Sequence, residues 1–138
     1  MRIIPLFFTA LMASNSFAND SLSVSQDEFY AVKENQALYE TLSNSGQIQQ
    51  SREQFKAVCL QEAKTDKELA HCKCAATELD KIDDKAFVYD SVISYRSFQA
   101  KVEAKNNQDE AEYQKLVAFD KNRDGIQKSI ESVCGKAE

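Results

Sequence analysis

The sequence predicts an all-α fold of about five amphipathic helices in a compact, disulfide-stapled helical bundle. Three glycines and one proline occur among 138 residues, whereas the turns of β-sheet proteins use both residue types freely. Capping boxes stand where two of the helices should begin. Four cysteines, an even number in a short chain, indicate two disulfide bonds that hold the helices together.

Local signals place the boundaries of the five helices. Ser25 with Glu28, and Thr65 with Glu68, form capping boxes in which each side chain bonds the other residue's backbone amide. Asp83 is an N-cap for the fourth helix, and acidic residues open the fifth. A glycine follows the first and the fifth helix. The predicted helices cover residues 26–42, 47–63, 66–81, 84–105 and 109–134.

The first eighteen residues have the pattern of a secretory signal peptide. A basic start is followed by an apolar run of ten residues, 3–12, and by Ser16 and Ala18 at the spacing of a cleavage site. The apolar run is shorter than the roughly 20 residues that span a bilayer. We expect cleavage near Ala18, a single helical domain over residues 19–138, periplasmic or secreted location, and no membrane span.

The charge of the expected mature chain is acidic. Arg2 is the only charged residue of the signal segment, so its removal leaves 16 basic and 22 acidic residues and a net charge near −6. Nucleic acids and anionic membranes are polyanions, which such a protein repels. We therefore expect no nucleic-acid partner.

Three cysteines lie in one predicted helical hairpin, and the fourth, Cys134, lies near the C-terminus. A hairpin that turns between residues 65 and 66 places Cys59 level with Cys72. Cys72 and Cys74 point about 200° apart on a helix, so they cannot easily bond each other. We favour Cys59 with Cys72 and Cys74 with Cys134. The exchanged pairing, Cys59 with Cys74 and Cys72 with Cys134, stays open.

The row His71, Cys72, Lys73, Cys74 has a second interpretation. Soft ligands in a row are typical of a copper(I) site or of a reactive dithiol. We prefer disulfides, because export places the cysteines in an oxidising compartment. His71 is the only histidine of the chain, and it lies beside a cysteine that we expect to be disulfide-bonded. No residues therefore suggest a catalytic nucleophile with its general base. We expect no catalytic residue and no enzymatic activity.

The fourth predicted helix has two apolar stripes. The wider one faces the core and contains Phe87, Val88, Val92, Tyr95, Phe98 and Val102. The thinner one contains Tyr89, Ile93, Ala100 and Ala104. Either the helix is central and packs on two sides, or the thinner stripe is exposed and binds a partner helix.

The segment 120–131 resembles an EF-hand calcium loop, with oxygen ligands at the right spacing and glycine at the sharp turn. The ligand positions are Asp120, Asn122, Asp124 and Glu131. Two positions depart from that family: Gln127 stands where an apolar residue is expected, and Ser132 stands where the exiting helix normally packs. The sequence also contains no second EF-hand.

An uninterrupted helix through Gly125 is the alternative for this segment. It would put Asp120 and Glu131 roughly 16 Å apart, too far to share an ion. In a straight bundle, however, Cys134 would lie roughly 18 Å beyond the level of Cys74. The favoured disulfide therefore requires a bend near residues 120–125, or helices that do not pack as a straight bundle.

The arrangement of Cys59, the row 71–74 and a terminal Cys134 on amphipathic helices resembles a loose group of small exported helical proteins of Gram-negative bacteria. The resemblance covers about residues 55–134. It implies a periplasmic location, and some exported helical proteins of this size are immunity proteins that bind a toxin. We expect a non-enzymatic protein that binds another protein, with inhibitors and immunity proteins as the specific examples. The alternative is a calcium-binding module at 120–131.

Overall fold

The computed structural model describes residues 22–137, which form seven helices and no strand. The all-α class is confirmed, whereas the number of helices is larger than the five expected. The predicted signal peptide, residues 1–18, lies outside the described residues. The helices are α1 Gln26–Ala31, α2 Lys33–Asn44, α3 Gln47–Glu62, α4 Asp66–Lys81, α5 Asp84–Asn106, α6 Glu110–Asn122 and α7 Ile126–Cys134.

The predicted helix starts are confirmed. Both capping boxes form, at the starts of α1 and α4. In each box, backbone amides donate to the glutamate, and these hydrogen bonds lower the pKa of Glu28 and of Glu68. The Asp83 carboxylate accepts from the amide of Ala86 at 2.9 Å and begins α5. Side-chain oxygens thus satisfy amides that have no partner inside the helix.

The first predicted helix is in fact two helices, α1 and α2, divided at Val32. Val32 is extended, with φ −83° and ψ 124°. The side-chain amide of Asn35 donates to the carbonyl of Phe29 at 2.8 Å, and that of Gln36 donates to the carbonyl of Tyr30 at 2.7 Å. In a continuous helix the amides four residues on would occupy these carbonyls. Two side chains replace those backbone bonds and stabilise the break.

The fifth predicted helix also divides, into α6 and α7, at residues 123–125. Arg123 and Gly125 are both extended. The Arg123 guanidinium donates to the Asp90 carboxylate and to the Ser94 hydroxyl, each at 2.6 Å, and so fixes the junction against α5. The chain therefore bends at residues 123–125, which is one of the two arrangements that the favoured disulfide allowed, and the uninterrupted helix is wrong.

The disulfides have the favoured pairing. Cys59 bonds Cys72 with their Cα atoms 5.6 Å apart, and Cys74 bonds Cys134 with Cα atoms 5.7 Å apart. The first bond closes the α3–α4 hairpin. The second joins the end of α7 to the middle of α4, against which α7 packs.

Helix α5 is the centre of the fold, since α1, α2, α3 and α6 all contact it. Its N-terminal half buries Phe87, Val88 and Val92. The ring of Phe29, from α1, packs edge-on against Tyr89 with centroids 5.4 Å apart. The main cluster of buried apolar residues is Phe29, Leu38, Leu42, Ile48, Leu79, Phe87, Val88 and Val92.

A buried arginine joins α3 to the turn between α4 and α5. The Arg52 guanidinium donates to the carbonyls of Leu79 and Ile82, at 2.5 and 2.6 Å, and to the Asp84 carboxylate at 2.9 Å. It also lies 4.6 Å from the centroid of the Phe87 ring. These carbonyls belong to the end of α4, where a helix leaves acceptors without amide partners.

Candidate functional site

The thinner stripe of α5 is buried. Ile93 is fully buried, Ala104 is buried, and Tyr89 and Ala100 are half-buried. The Tyr89 hydroxyl donates to the carbonyl of Val24, and burial raises the pKa of Tyr89. The prediction that these four positions form an exposed stripe is therefore wrong, because two of them are buried and two are half-buried, and helix α5 packs on two sides instead.

Tyr89 packs against Phe29 of α1, whereas α6 packs against the far half of α5. Asp120, on α6, accepts hydrogen bonds from the Ser97 hydroxyl at 2.7 Å and from the Lys101 ammonium. Ser97 and Lys101 are themselves buried. This polar cluster fastens α6 to the side of α5 that carries Ile93 and Ala104. This cluster was not predicted, because Asp120 lies 23 and 19 residues from Ser97 and Lys101, and polar side chains of these types are typical of a helix surface.

The opposite side of the same half of α5 is exposed. Phe98 is 40% exposed and Val102 is 43% exposed, although both were predicted to face the core. At 100° per residue they lie roughly 100° and 140° around the helix from Ser97, which faces α6. Helix α6 covers only the Ser97 side of this half of α5, so the side with Phe98 and Val102 stays exposed.

We name the surface formed by Tyr95, Phe98, Gln99 and Val102 the α5 strip. Tyr95 is half-buried and packs against the core, and Gln99 donates to its hydroxyl at 3.0 Å. None of the four residues is charged, although 28% of the chain is charged. The strip is thus an uncharged, partly apolar surface on a helix that the core and the Asp120 cluster hold in place.

One signal in the sequence pointed to this exposure. Helix α5 has 23 residues, whereas α3 and α4 have 16 each. The difference of seven residues corresponds to about 10 Å. A helix that exceeds its neighbours by this length has fewer elements to cover both sides of its far end.

The four residues of the calcium-loop prediction do not meet. Asp120 faces Lys101 in the interface between α5 and α6, and the exposed Asn122 ends α6. Asp124 is exposed and accepts from Lys128 at 2.6 Å, a bond that lowers the pKa of Asp124. Glu131 lies within α7 and accepts from a neighbouring glutamine on the same helix.

Within residues 22–137, no group of three or more His, Cys, Asp or Glu side chains is placed to hold a metal ion. The arrangement of the 120–131 segment therefore does not fit a calcium ion as the loop stands. Calcium binding by this segment stays a prediction of the sequence alone.

The row His71 to Cys74 has no reduced thiol, since all four cysteines are bonded. Cys74 and Cys134 line an open depression together with His71, Lys67 and Lys136. A soft-metal or dithiol site would need these sulfur atoms free.

The part of the chain that the structure describes has no helix with the length and apolar character needed to cross a membrane. No family model, no curated protein and no solved structure matches this chain.

Proposed function

We propose that the protein is a non-enzymatic, periplasmic protein that binds another protein through the α5 strip. The observation that carries the proposal is the exposure of Phe98 and Val102, which lie one turn apart on a helix that is otherwise central to the core. Large apolar side chains grouped on a surface are typical of interaction sites.

The spacing of the strip favours a helical partner. Tyr95, Phe98, Gln99 and Val102 stand at positions i, i+3, i+4 and i+7, the spacing at which one helix packs on another. Aromatic residues are enriched and charged residues depleted at the centre of interfaces. We therefore propose that the partner presents the apolar, uncharged face of an amphipathic helix.

The cysteines support the proposed location. Two disulfides in a short chain are typical of proteins in oxidising compartments. The resemblance to small exported helical proteins of Gram-negative bacteria supports the same location. An inhibitor or immunity-type role is the form of protein binding that this resemblance favours, with the partner as the inhibited protein.

The test compares capture by the oxidised mature protein with capture by a double variant, Phe98→Asp with Val102→Asp. Leu60→Asp is the matched control, because Leu60 is 45% exposed on α3, outside the strip. We expect wild type and the Leu60 variant to retain the same partner from periplasmic extract, and the double variant to lose it. Circular dichroism checks that all three proteins are folded.

Two outcomes contradict the proposal. If no partner is captured reproducibly, or if all three proteins capture it equally, the α5 strip is not the binding surface. Sedimentation velocity of the purified protein adds a second readout. A dimer that the double variant dissociates would make the occupant a second copy of this chain and would overturn the proposed partner.

A further inference from the structure

The two disulfides lie in different surroundings. Cys59 and Cys72 are buried between α3 and α4, at 8% and 5% exposure. Cys74 and Cys134 are half-buried and both line an open depression of about 240 Å³. A reagent in solution therefore meets one disulfide and not the other.

The depression beside the second disulfide is rich in basic groups. Its lining includes Lys67 and Lys136, together with His71 on the same helix as Cys74. The one acidic residue of the lining, Glu68, is bound to the amides of Lys64 and Thr65 at 2.7 and 2.9 Å. Two lysines against one glutamate give the lining a net positive charge in a chain whose net charge is −5.

His71 gives this depression a polar group without a protein partner. Its Nδ1 atom is buried and makes no hydrogen bond to any residue that the structure describes. His71 precedes Cys74 by three residues, so the two side chains lie on the same face of α4. A buried polar atom without a partner costs free energy, and such atoms often mark functional sites.

We propose that the Cys74–Cys134 bond is a site of thiol–disulfide exchange with a small anionic thiol. The thiolate attacks the Cys134 sulfur, a new S–S bond forms between the two, and the Cys74–Cys134 bond breaks with its electron pair left on Cys74. A second thiol molecule completes the reduction, which releases the oxidised thiol dimer and leaves both cysteines as thiols.

The fold determines which sulfur is attacked. Cys134 is the last residue of α7, and the residues that follow it, 135–137, are exposed. A thiolate on Cys134 would lie at the negative end of the helix dipole, which disfavours it. Both cysteines line the depression with Lys67 and Lys136, so these positive charges favour a thiolate on either one, and the helix dipole makes Cys74 the better leaving group. Cys74 is therefore the leaving group.

The test treats the oxidised mature protein, without denaturant, with reduced glutathione as the anionic probe and cysteamine as the cationic probe, at equal thiolate concentration. Acid quenching, alkylation and peptide mass mapping identify the products. We expect a glutathione adduct on Cys134 while the Cys59–Cys72 bond stays intact. We expect glutathione to react about tenfold faster than cysteamine, because basic side chains attract it.

Charge variants separate this proposal from simple exposure of the bond. The double variant Lys67→Glu with Lys136→Glu should lose the preference for glutathione. Lys33→Glu with Lys121→Glu makes the same charge change elsewhere and should keep it. The proposal is wrong if both disulfides open at the same rate, which would mean that exchange follows global unfolding. It is also wrong if the adduct forms on Cys74, or if the preference does not depend on Lys67 and Lys136.

Discussion

Gly125 lies directly against the carboxylate of Asp90: a Cβ atom added at Gly125 would stand 2.6 Å from Asp90 Oδ1. Asp90 cannot easily move away, because Arg123 holds it at 2.6 Å and the two side chains are 15% and 17% exposed. This contact docks the α6–α7 junction on the N-terminal half of α5. It thereby directs α7 toward α4, where Cys134 meets Cys74.

The contact predicts that Gly125→Ala destabilises the protein by about 1–3 kcal/mol, the usual cost of forcing extra volume into a packed site. The backbone conformation is not the reason, since φ at Gly125 is −116°. Urea denaturation measures the change. In an Asp90→Ala background the same substitution should cost much less, because the clashing carboxylate is gone. An equal cost in both backgrounds would show that the contact is not responsible.

Substitution of Arg52 should also lower the free energy of unfolding strongly. Arg52→Met removes the donors that serve the carbonyls of Leu79 and Ile82, and buried acceptors without partners are costly. We expect a loss of about 3 kcal/mol in the free energy of unfolding.

The matched control for Arg52 is Lys56→Met. Lys56 lies on the same helix but pairs with the exposed carboxylates of Glu53 and Asp80. Surface ion pairs contribute about 0–1 kcal/mol. If the two variants lose the same stability in urea, Arg52 is not the link between α3 and the α4–α5 turn.

Most helix boundaries could be predicted, because capping depends on residues that are neighbours in sequence. Ser25, Thr65 and Asp83 each bond an amide three residues on. The break at Val32 was harder to predict. It depends on the side-chain amides of Asn35 and Gln36, which bond carbonyls six residues earlier in the chain. The same sequence is compatible with a continuous helix, in which backbone amides would bond those carbonyls instead.

The surface of α5 could not be predicted from its periodicity. Both of its stripes are apolar enough to be buried, and the sequence does not say which side α6 covers. That side is determined by Asp120 binding Ser97 and Lys101, a contact between residues that are 19 to 23 positions apart. The disulfide pairing could be predicted because helix geometry excludes one alternative and hairpin register favours another.

Acid should destabilise the protein in part through its capping boxes. The amides at the start of α4 lower the pKa of Glu68 below its ordinary value of 4.5. A carboxyl with a lowered pKa in the folded state contributes stability that is present above about pH 4.5 and is lost as the pH falls through the folded pKa. Glu68→Gln keeps an acceptor for the capping box but does not titrate.

Melting temperatures of wild type and Glu68→Gln, measured from pH 6 to pH 3, check this prediction. The drop on acidification should be smaller in the variant. A drop of the same size in both proteins would mean that the Glu68 carboxylate contributes nothing to the pH dependence of folding.

Substitution of Asp120 distinguishes a calcium-binding role of this residue from a structural role in the pair with Lys101. Asp120→Ala should destabilise the protein by about 3 kcal/mol, because it leaves the Lys101 ammonium buried without its carboxylate. Asp124→Ala should change stability little, since Asp124 is exposed. Millimolar calcium should produce no heat in calorimetry with wild type. Calcium-dependent heat that the stably folded Asp124→Ala variant loses would support the loop at 120–131, and an unchanged stability of Asp120→Ala would contradict the structural role of Asp120.

The most direct test of the proposed function is photo-crosslinking from inside the α5 strip. A photoreactive phenylalanine analogue replaces Phe98, and the same analogue at Leu60 serves as the exposed control on α3. The protein is irradiated in its native compartment, and the products are identified by mass spectrometry. We predict that position 98 crosslinks to one protein and that position 60 does not. No product from position 98, or the same products from both positions, would contradict the account.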